Sequence, residues 1–202
     1  MKIYDSEIAP NPRRVRIFLA EKNVSVPYER IDLRASANRD PAFLKKNRLG
    51  LVPVLELDDG TCIAESVAIC RYFEEIHPEP PLMGTDARDR ALVEMWNRRM
   101  ELDLFRWVGD TFAHTAEFFR NRIRQVPAYA ETTRERALGQ LGWLDGVFAD
   151  RPFAAGERFT IADITALVAI ELGTPSVFRI APGQKHLARW YEQVASRPSA
   201  KA

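Results

Sequence analysis

The chain is poor in the residues that signal metal or redox chemistry. Two cysteines and three histidines are all it carries in 202 residues. Cys62 and Cys70 fit neither a disulfide framework nor a metal-ligand spacing, so a reducing, cytoplasmic setting is the expectation. No apolar run approaches the roughly 20 residues that cross a bilayer, which argues against a membrane partner. An excess of one charge is missing as well. Lys and Arg number 29 against 28 Asp and Glu, a formal net charge of +1, and such a balance gives no reason to expect nucleic acid. The opening Met1-Lys2-Ile3-Tyr4-Asp5 has no apolar stretch of the kind that exports a chain. Internal repeats and low-complexity tracts are absent. What is left is an ordinary globular composition, long enough for two modest domains.

The most informative stretch runs from Gly50-Leu51-Val52-Pro53-Val54-Leu55 through Asp59-Gly60 to Glu65-Ser66. Asp59-Gly60 suits a tight hairpin turn, because glycine tolerates φ > 0. Val54, Leu55 and Leu57 before it, and Ile63 after it, read as strands. Pro53 stands at a strand start, where its missing N–H costs a ladder nothing. The backbone of Val52 is then available to something other than protein. Glu65-Ser66 opens an apolar helix whose first N–H groups point outward and favour an anion. Glu65 can accept from an ammonium beside it. A peptide-like ligand with a free α-carboxylate and α-ammonium would fit, and the γ-glutamyl end of glutathione is such a group.

Around that stretch the chain alternates short strands and helices: a strand over 2–4, a helix over 12–22, a strand over 28–33, a short helix over 41–46, the hairpin, and a helix carrying Ile69, Tyr72, Phe73 and Ile76 on one stripe. A β-α-β unit of this length implies parallel strands. The order β-α-β-α-β-β-α is that of a thioredoxin-like domain, giving an α/β domain over 1–78. His77-Pro78-Glu79-Pro80-Pro81 begins a stiff connector, 79–86. From there an all-α domain, 87–202, is predicted. Its stripes are Leu92, Met95, Trp96 and Met100, then Leu141, Leu144 and Phe148, then Ile164, Leu167 and Val168. Thr160 and Asp163 form a variant of the capping box, with a folding role. Cys62 and Cys70 read as small buried hydrophobes.

The hairpin string, followed by a helix and preceded by a β-α-β pattern, resembles the glutathione-binding half of the soluble glutathione S-transferases, and the Thr160-Ile161-Ala162-Asp163 element extends that resemblance over nearly the whole chain. The resemblance implies a cis Pro53, a Val52 backbone that pairs with the glutathione cysteine, and a Glu65-Ser66 pair that holds the γ-glutamyl group. It also implies a homodimer, glutathione as co-substrate with no cofactor or metal, and a small hydrophobic electrophile as second substrate. Glutathione-dependent disulfide reduction and a non-catalytic binding or regulatory module are the rival readings.

The chemistry needs a thiolate. A free thiol titrates near 8.5, and lowering that by about two pH units takes roughly 2.7 kcal/mol of preferential thiolate stabilisation. Where the branch this chain resembles places a serine, it has Ala9, which donates nothing; tyrosine and cysteine are missing there too. The chain therefore resembles atypical bacterial and fungal members. Asn11 is the first candidate for the sulfur: as an N-cap its oxygen could serve the helix while its NH₂ donates to a thiolate, or it could cap only. Arg13 and Arg14 oppose the helix dipole, a conflict an anionic ligand would relieve, and Arg13 is taken as the nearer. His114 could orient a water and accept its proton. Asn38 stands where relatives carry a group for the glycyl carboxylate. Glu101 or Asp103 could meet the ammonium across a dimer. Phe112, Phe118, Phe119 and Phe178 are candidates for the electrophile pocket.

Overall fold

A computed structural model describes residues 1–174 and 176–202. They divide into two compact units, Met1–Leu82 with Lys201–Ala202, and Met83–Ala200.

The first unit is a thioredoxin-like α/β layer. Its elements are β1 (Lys2–Asp5), α1 (Pro10–Glu21), β2 (Tyr28–Arg30), α2 (Pro41–Lys46), β3 (Val54–Glu56), β4 (Cys62–Ala64) and α3 (Ser66–Ile76). The sheet order is β2-β1-β3-β4. β1 runs parallel to β2 and antiparallel to β3, and β3 and β4 form the hairpin. Apolar alternation fixes this register. Ile3, Val54 and Leu55 are buried, as are Val15, Phe18 and Leu19 of α1 and Ile69 and Phe73 of α3. α1 and α3 pack against each other. A smaller cluster of Tyr4, Phe43 and Val54 has Val52 packed on it, which anchors the loop ahead of β3.

Several boundaries differ from the sequence reading, each for a local reason. α1 begins at Pro10 rather than Pro12, so its N-cap is Ala9 and Asn11 lies inside the first turn. β2 stops at Arg30 rather than Leu33. Asp32 Oδ1 accepts from the N–H groups of Arg34 (2.8 Å) and Ala35 (3.1 Å), and this Asx turn ends the strand. The buried stripe of α3 is Ile69, Cys70 and Phe73, whereas Ile76 is 45% exposed at the fraying end. Cys70 is buried, which pushes its thiol up to about 12; Cys62 is only half-buried.

Lys22, at the C-cap of α1, is an unexpected anchor. Its side chain is fully buried and its ammonium pairs with Glu74 Oε2 at 2.7 Å. It also donates to the carbonyls of His77 (2.7 Å) and Pro80 (2.8 Å), tying α1 to the end of α3 and the chain beyond it.

The second unit is all-α. α4 (Ala87–Arg99) passes through a π-helical turn, Met100–Phe105, into α5 (Arg106–Thr115); α6 (Pro127–Val147), α7 (Ile161–Gly173) and α8 (Lys185–Ala195) follow. Asp86 caps α4 by accepting from the N–H groups of Arg88 and Asp89. The inner face of α4 is Val93, Trp96 and Asn97, continued by Met100 and Leu104, while Leu92 (40% exposed) and Met95 turn outward. The sequence stripe was thus off by one position for its first two members. Leu141, Leu144 and Phe148 are buried as expected, and so are Ile164, Leu167 and Val168. Thr160 and Asp163 form the capping box of α7. None of the described helices is long and apolar enough to cross a membrane.

Candidate functional site

Two turns of chain in the first unit converge. One is the start of α1. Pro10 and Pro12 have no N–H, and the Arg13 N–H turns back to the Ala9 carbonyl at 3.4 Å. Ala9 offers no side-chain cap. The Asn11 N–H is therefore the first-turn donor not drawn into the helix, and the exposed Asn11 carboxamide stands beside it. A helix opening with two prolines has concentrated its N-terminal donor capacity in one residue.

The other turn is the entry to α3. The hairpin reverses at Asp59-Gly60, with Leu57 and Thr61 closing it. β4 then delivers the chain to Glu65, which sits at φ 69°, ψ 115°. A non-glycine residue at positive φ outside the compact left-handed basin is strained and persists only where its surroundings over-determine it. Here it acts as N-cap of α3 without using its own carboxylate as a cap, so that carboxylate remains exposed. Ser66 follows, 5% exposed.

The loop ahead of β3 closes the site. Val52–Pro53 is cis. Val52 precedes the first ladder pairs of β3, which start at Val54. Gly50 (φ 62°) has the Asn38 carbonyl where a Cβ would meet it at 2.8 Å, so only glycine fits this turn. Asn47 braces the same loop: its Nδ2 donates to the Leu51 carbonyl (2.9 Å) and its Oδ1 accepts from the Leu49 N–H (3.1 Å).

Together these turns enclose a small cavity of about 40 Å³, lined by Asn11, Asn47, Leu51, Val52, Pro53, Glu65 and Ser66. Five of those seven were singled out in the sequence. Asn38 and Arg13 do not line it. Asn38 is buried and donates its Nδ2 to the Gly50 carbonyl at 2.7 Å, a support of the loop. Arg13 is half-buried in α1, and the arginine that reaches the site is Arg14: its Nη1 donates to Ser66 Oγ at 2.7 Å. The Ser66 hydroxyl makes a long contact with Asn11 Oδ1, 3.5 Å. Tyr4 is committed elsewhere, donating to Glu56 Oε2 at 2.6 Å.

The remaining candidates belong to the second unit. Phe112 and Phe119 meet edge to face with centroids 6.0 Å apart, and Phe118 meets Phe119 at 5.0 Å, so the three form one aromatic cluster on α5 and the turn after it. Phe178 is buried against Gly173 and is part of the core. A recess of about 780 Å³ in this unit contains none of these phenylalanines; Ile170, Arg179, Lys185 and Ala188 are among its walls. His114 lies in the last turn of α5, and its Nδ1 accepts from the Val126 N–H at 3.0 Å. Neutral His114 therefore carries its proton on Nε2 and presents a donor, whereas the sequence reading made it an acceptor of a water's proton. No group of described side chains could hold a metal ion.

Comparison with known proteins shows the family. Residues 3–81 match the domain described as glutathione S-transferase, N-terminal domain, and residues 95–198 match its C-terminal domain. The chain belongs to the glutathione S-transferase family. Glutathione S-transferase 2 of Saccharomyces cerevisiae is 37% identical over 205 residues, covering 100% of this chain and 88% of the relative. The crystal structure of a glutathione S-transferase domain-containing protein of Marinobacter aquaeolei VT8 superposes with a TM-score of 0.94 at 39% identity, covering 98% of this chain and 99% of the other. Gtt2 from Saccharomyces cerevisiae gives 0.93 at 37% identity, covering 100% and 99%. Within this transferase family the thioredoxin-like sheet and helical second unit are the shared architecture, and the cavity at the start of α3 lies in the N-terminal domain.

Sequence reasoning missed two residues of the site. Asn47 carried a usable signal, an asparagine at the end of α2 three residues ahead of Gly50, as in many Asx-stabilised turns. Arg14 also carried one: it stands four residues before Phe18 on the buried stripe of α1, although Arg13 was preferred.

Proposed function

We propose that this protein is a glutathione transferase in which the first unit binds glutathione and stabilises its thiolate, and the thiolate attacks a hydrophobic electrophile. The observation that carries the reading is the convergence of Asn11, Val52, Pro53, Glu65 and Ser66 on one cavity at the start of α3. Four of them meet the ligand directly. The Val52 backbone pairs with the cysteinyl backbone of glutathione. Ser66 and the first amides of α3 receive the γ-glutamyl carboxylate. The exposed Glu65 carboxylate receives the ammonium. Asn11 supplies the sulfur with its N–H and its carboxamide NH₂, gaining from the positive end of α1.

Phe112, Phe118 and Phe119 offer the apolar surface for the electrophile. The reaction needs no cofactor, since the nucleophile arrives with glutathione. Two free cysteines suit a reducing cytoplasm, and a detoxifying role follows from the chemistry. A homodimer is part of the reading: of the two acids considered for the ammonium, Glu101 holds Arg98 at 2.6 Å, whereas Asp103 is exposed on the π-helical turn.

Calorimetric titration with glutathione tests the binding half. The native protein should bind, and Glu65→Ala should weaken it by about tenfold or more, the usual cost of losing a charge-assisted contact. A native protein that takes up no heat with glutathione would end this reading. The thiolate absorbance of bound glutathione tests the chemical half. Asn11→Ala should raise the pH midpoint of that absorbance by about one pH unit, consistent with the loss of one hydrogen bond to a charged acceptor. An unchanged midpoint would remove Asn11 from the mechanism.

A further inference from the structure

We propose that Arg14 is a positioning residue for the γ-glutamyl carboxylate: by donating to Ser66 Oγ it biases the serine hydroxyl to turn its proton toward the cavity. The proposal rests on the glutathione reading and adds a residue to it. Arg14 is 1% exposed and Ser66 5%, so this contact lies beneath the cavity and not in it. A hydroxyl has one proton and two acceptor sites. Arg14 Nη1, at 2.7 Å, takes one acceptor site with a charged donor. Rotation of the hydroxyl is then biased. Its proton must point away from the guanidinium, and the acceptor it finds in the structure is Asn11 Oδ1 on the cavity wall, at 3.5 Å.

That is a weak, long contact. A carboxylate entering the cavity is a far better acceptor and would displace it. The site is thus held with its donor turned toward the position an anion must occupy, with the fixed positive charge of Arg14 behind it. Without Arg14 the hydroxyl is no longer pre-oriented, so the incoming carboxylate must itself order the rotor and binds without the positive charge behind it. Arg14 therefore acts through Ser66, and its effect should be confined to ligands that carry the carboxylate.

The test uses the full chain and two peptides: glutathione, and γ-aminobutyryl-cysteinyl-glycine, the same tripeptide without the α-carboxylate. Affinities are measured by calorimetry for the native protein, Arg14→Met, Arg14→Lys, Ser66→Ala and the Arg14→Met/Ser66→Ala double variant. Arg14→Met should weaken glutathione about tenfold and leave the analogue within about twofold. Ser66→Ala should do the same, and the double variant should lose no more than either single one, because both changes break one chain of contacts. Arg14→Lys retains the charge but not the planar fork, and should also weaken glutathione selectively. If Arg14→Met does not fold, Arg14→Lys and Ser66→Ala carry the comparison. Equal losses for both peptides, or losses that multiply in the double variant, would show a merely structural arginine and overturn the proposal. A native protein that binds neither peptide would instead overturn the glutathione reading.

Discussion

Lys22→Met should destabilise the first unit by about 3–5 kcal/mol, the typical cost of removing one partner from a buried ion pair. The substitution keeps most of the aliphatic volume, so little of the loss would come from packing. It strips Glu74 of a cation at 2.7 Å and leaves the carbonyls of His77 and Pro80 without this donor. Adding Glu74→Leu should restore part of the stability, because replacing both charges by apolar groups removes the buried carboxylate that lost its lysine, while the two carbonyls still lack this donor. All four tryptophans, at 96, 107, 143 and 190, belong to the second unit, so their fluorescence would not report the change directly. Hydrogen exchange of the α3 and 77–82 amides is the suitable measurement. Protection equal to that of the native chain would show that the buried lysine adds no net stability.

A second large effect is expected at Asp163, in the second unit. Its carboxylate is fully buried, and Oδ1 accepts from the Ala154 N–H (2.8 Å) and the Trp190 indole (2.9 Å). Oδ2 accepts from the Thr160 N–H (3.0 Å) and hydroxyl (3.2 Å). Burial nevertheless wins over these donors and raises its pKa from 3.8 to about 6. Asp163→Leu would strand all four donors at once, and at 1–3 kcal/mol for each buried unsatisfied group the helical unit should not stay folded at room temperature.

Asp163→Asn is the milder variant and carries a pH signature. A folded-state pKa above the unfolded one means that the native chain holds more protons between pH 4 and 6, so stability falls as pH rises through that window. For a shift of this size the decline is on the order of 3 kcal/mol. The native protein should show this slope and Asp163→Asn should not, with unfolding followed by the fluorescence of the four tryptophans of this unit, among them Trp190, which stacks on Phe148 at 4.7 Å. Parallel pH profiles for the two proteins would show that Asp163 is ionised throughout.

The fold was legible because its signals are local and redundant. Asp59-Gly60 set the hairpin and Pro53 marked the start of β3. Thr160 with Asp163 opening α7 gave a helix start within the reach of sequence. Boundaries and faces failed where one particular side-chain contact decided, local in one case and tertiary in the other. The side chain of Asp32 ended β2 early, and the inner face of α4 was chosen by neighbours that no pattern in α4 reveals. The site divided along the same line. Val52, Pro53, Glu65 and Ser66 are consecutive pairs in a hairpin with a fixed geometry, so sequence spacing nearly determines their placement. Arg14 and Asn47 matter through contacts that close across the fold: 52 residues separate Arg14 from Ser66. The orientation of His114 depended on a single backbone N–H from the loop ahead of α6, and composition says nothing about which ring nitrogen such a bond will claim.

Position 65 brings two demands into opposition. Its backbone geometry, φ 69°, would relax with glycine, while only an acidic side chain there can receive a positive charge. Heat tolerance and ligand recognition thus pull the same codon in different directions. Laboratory evolution that rewarded thermal hardiness alone, with no ligand present, would be expected to discard the glutamate first and keep everything else of the domain intact.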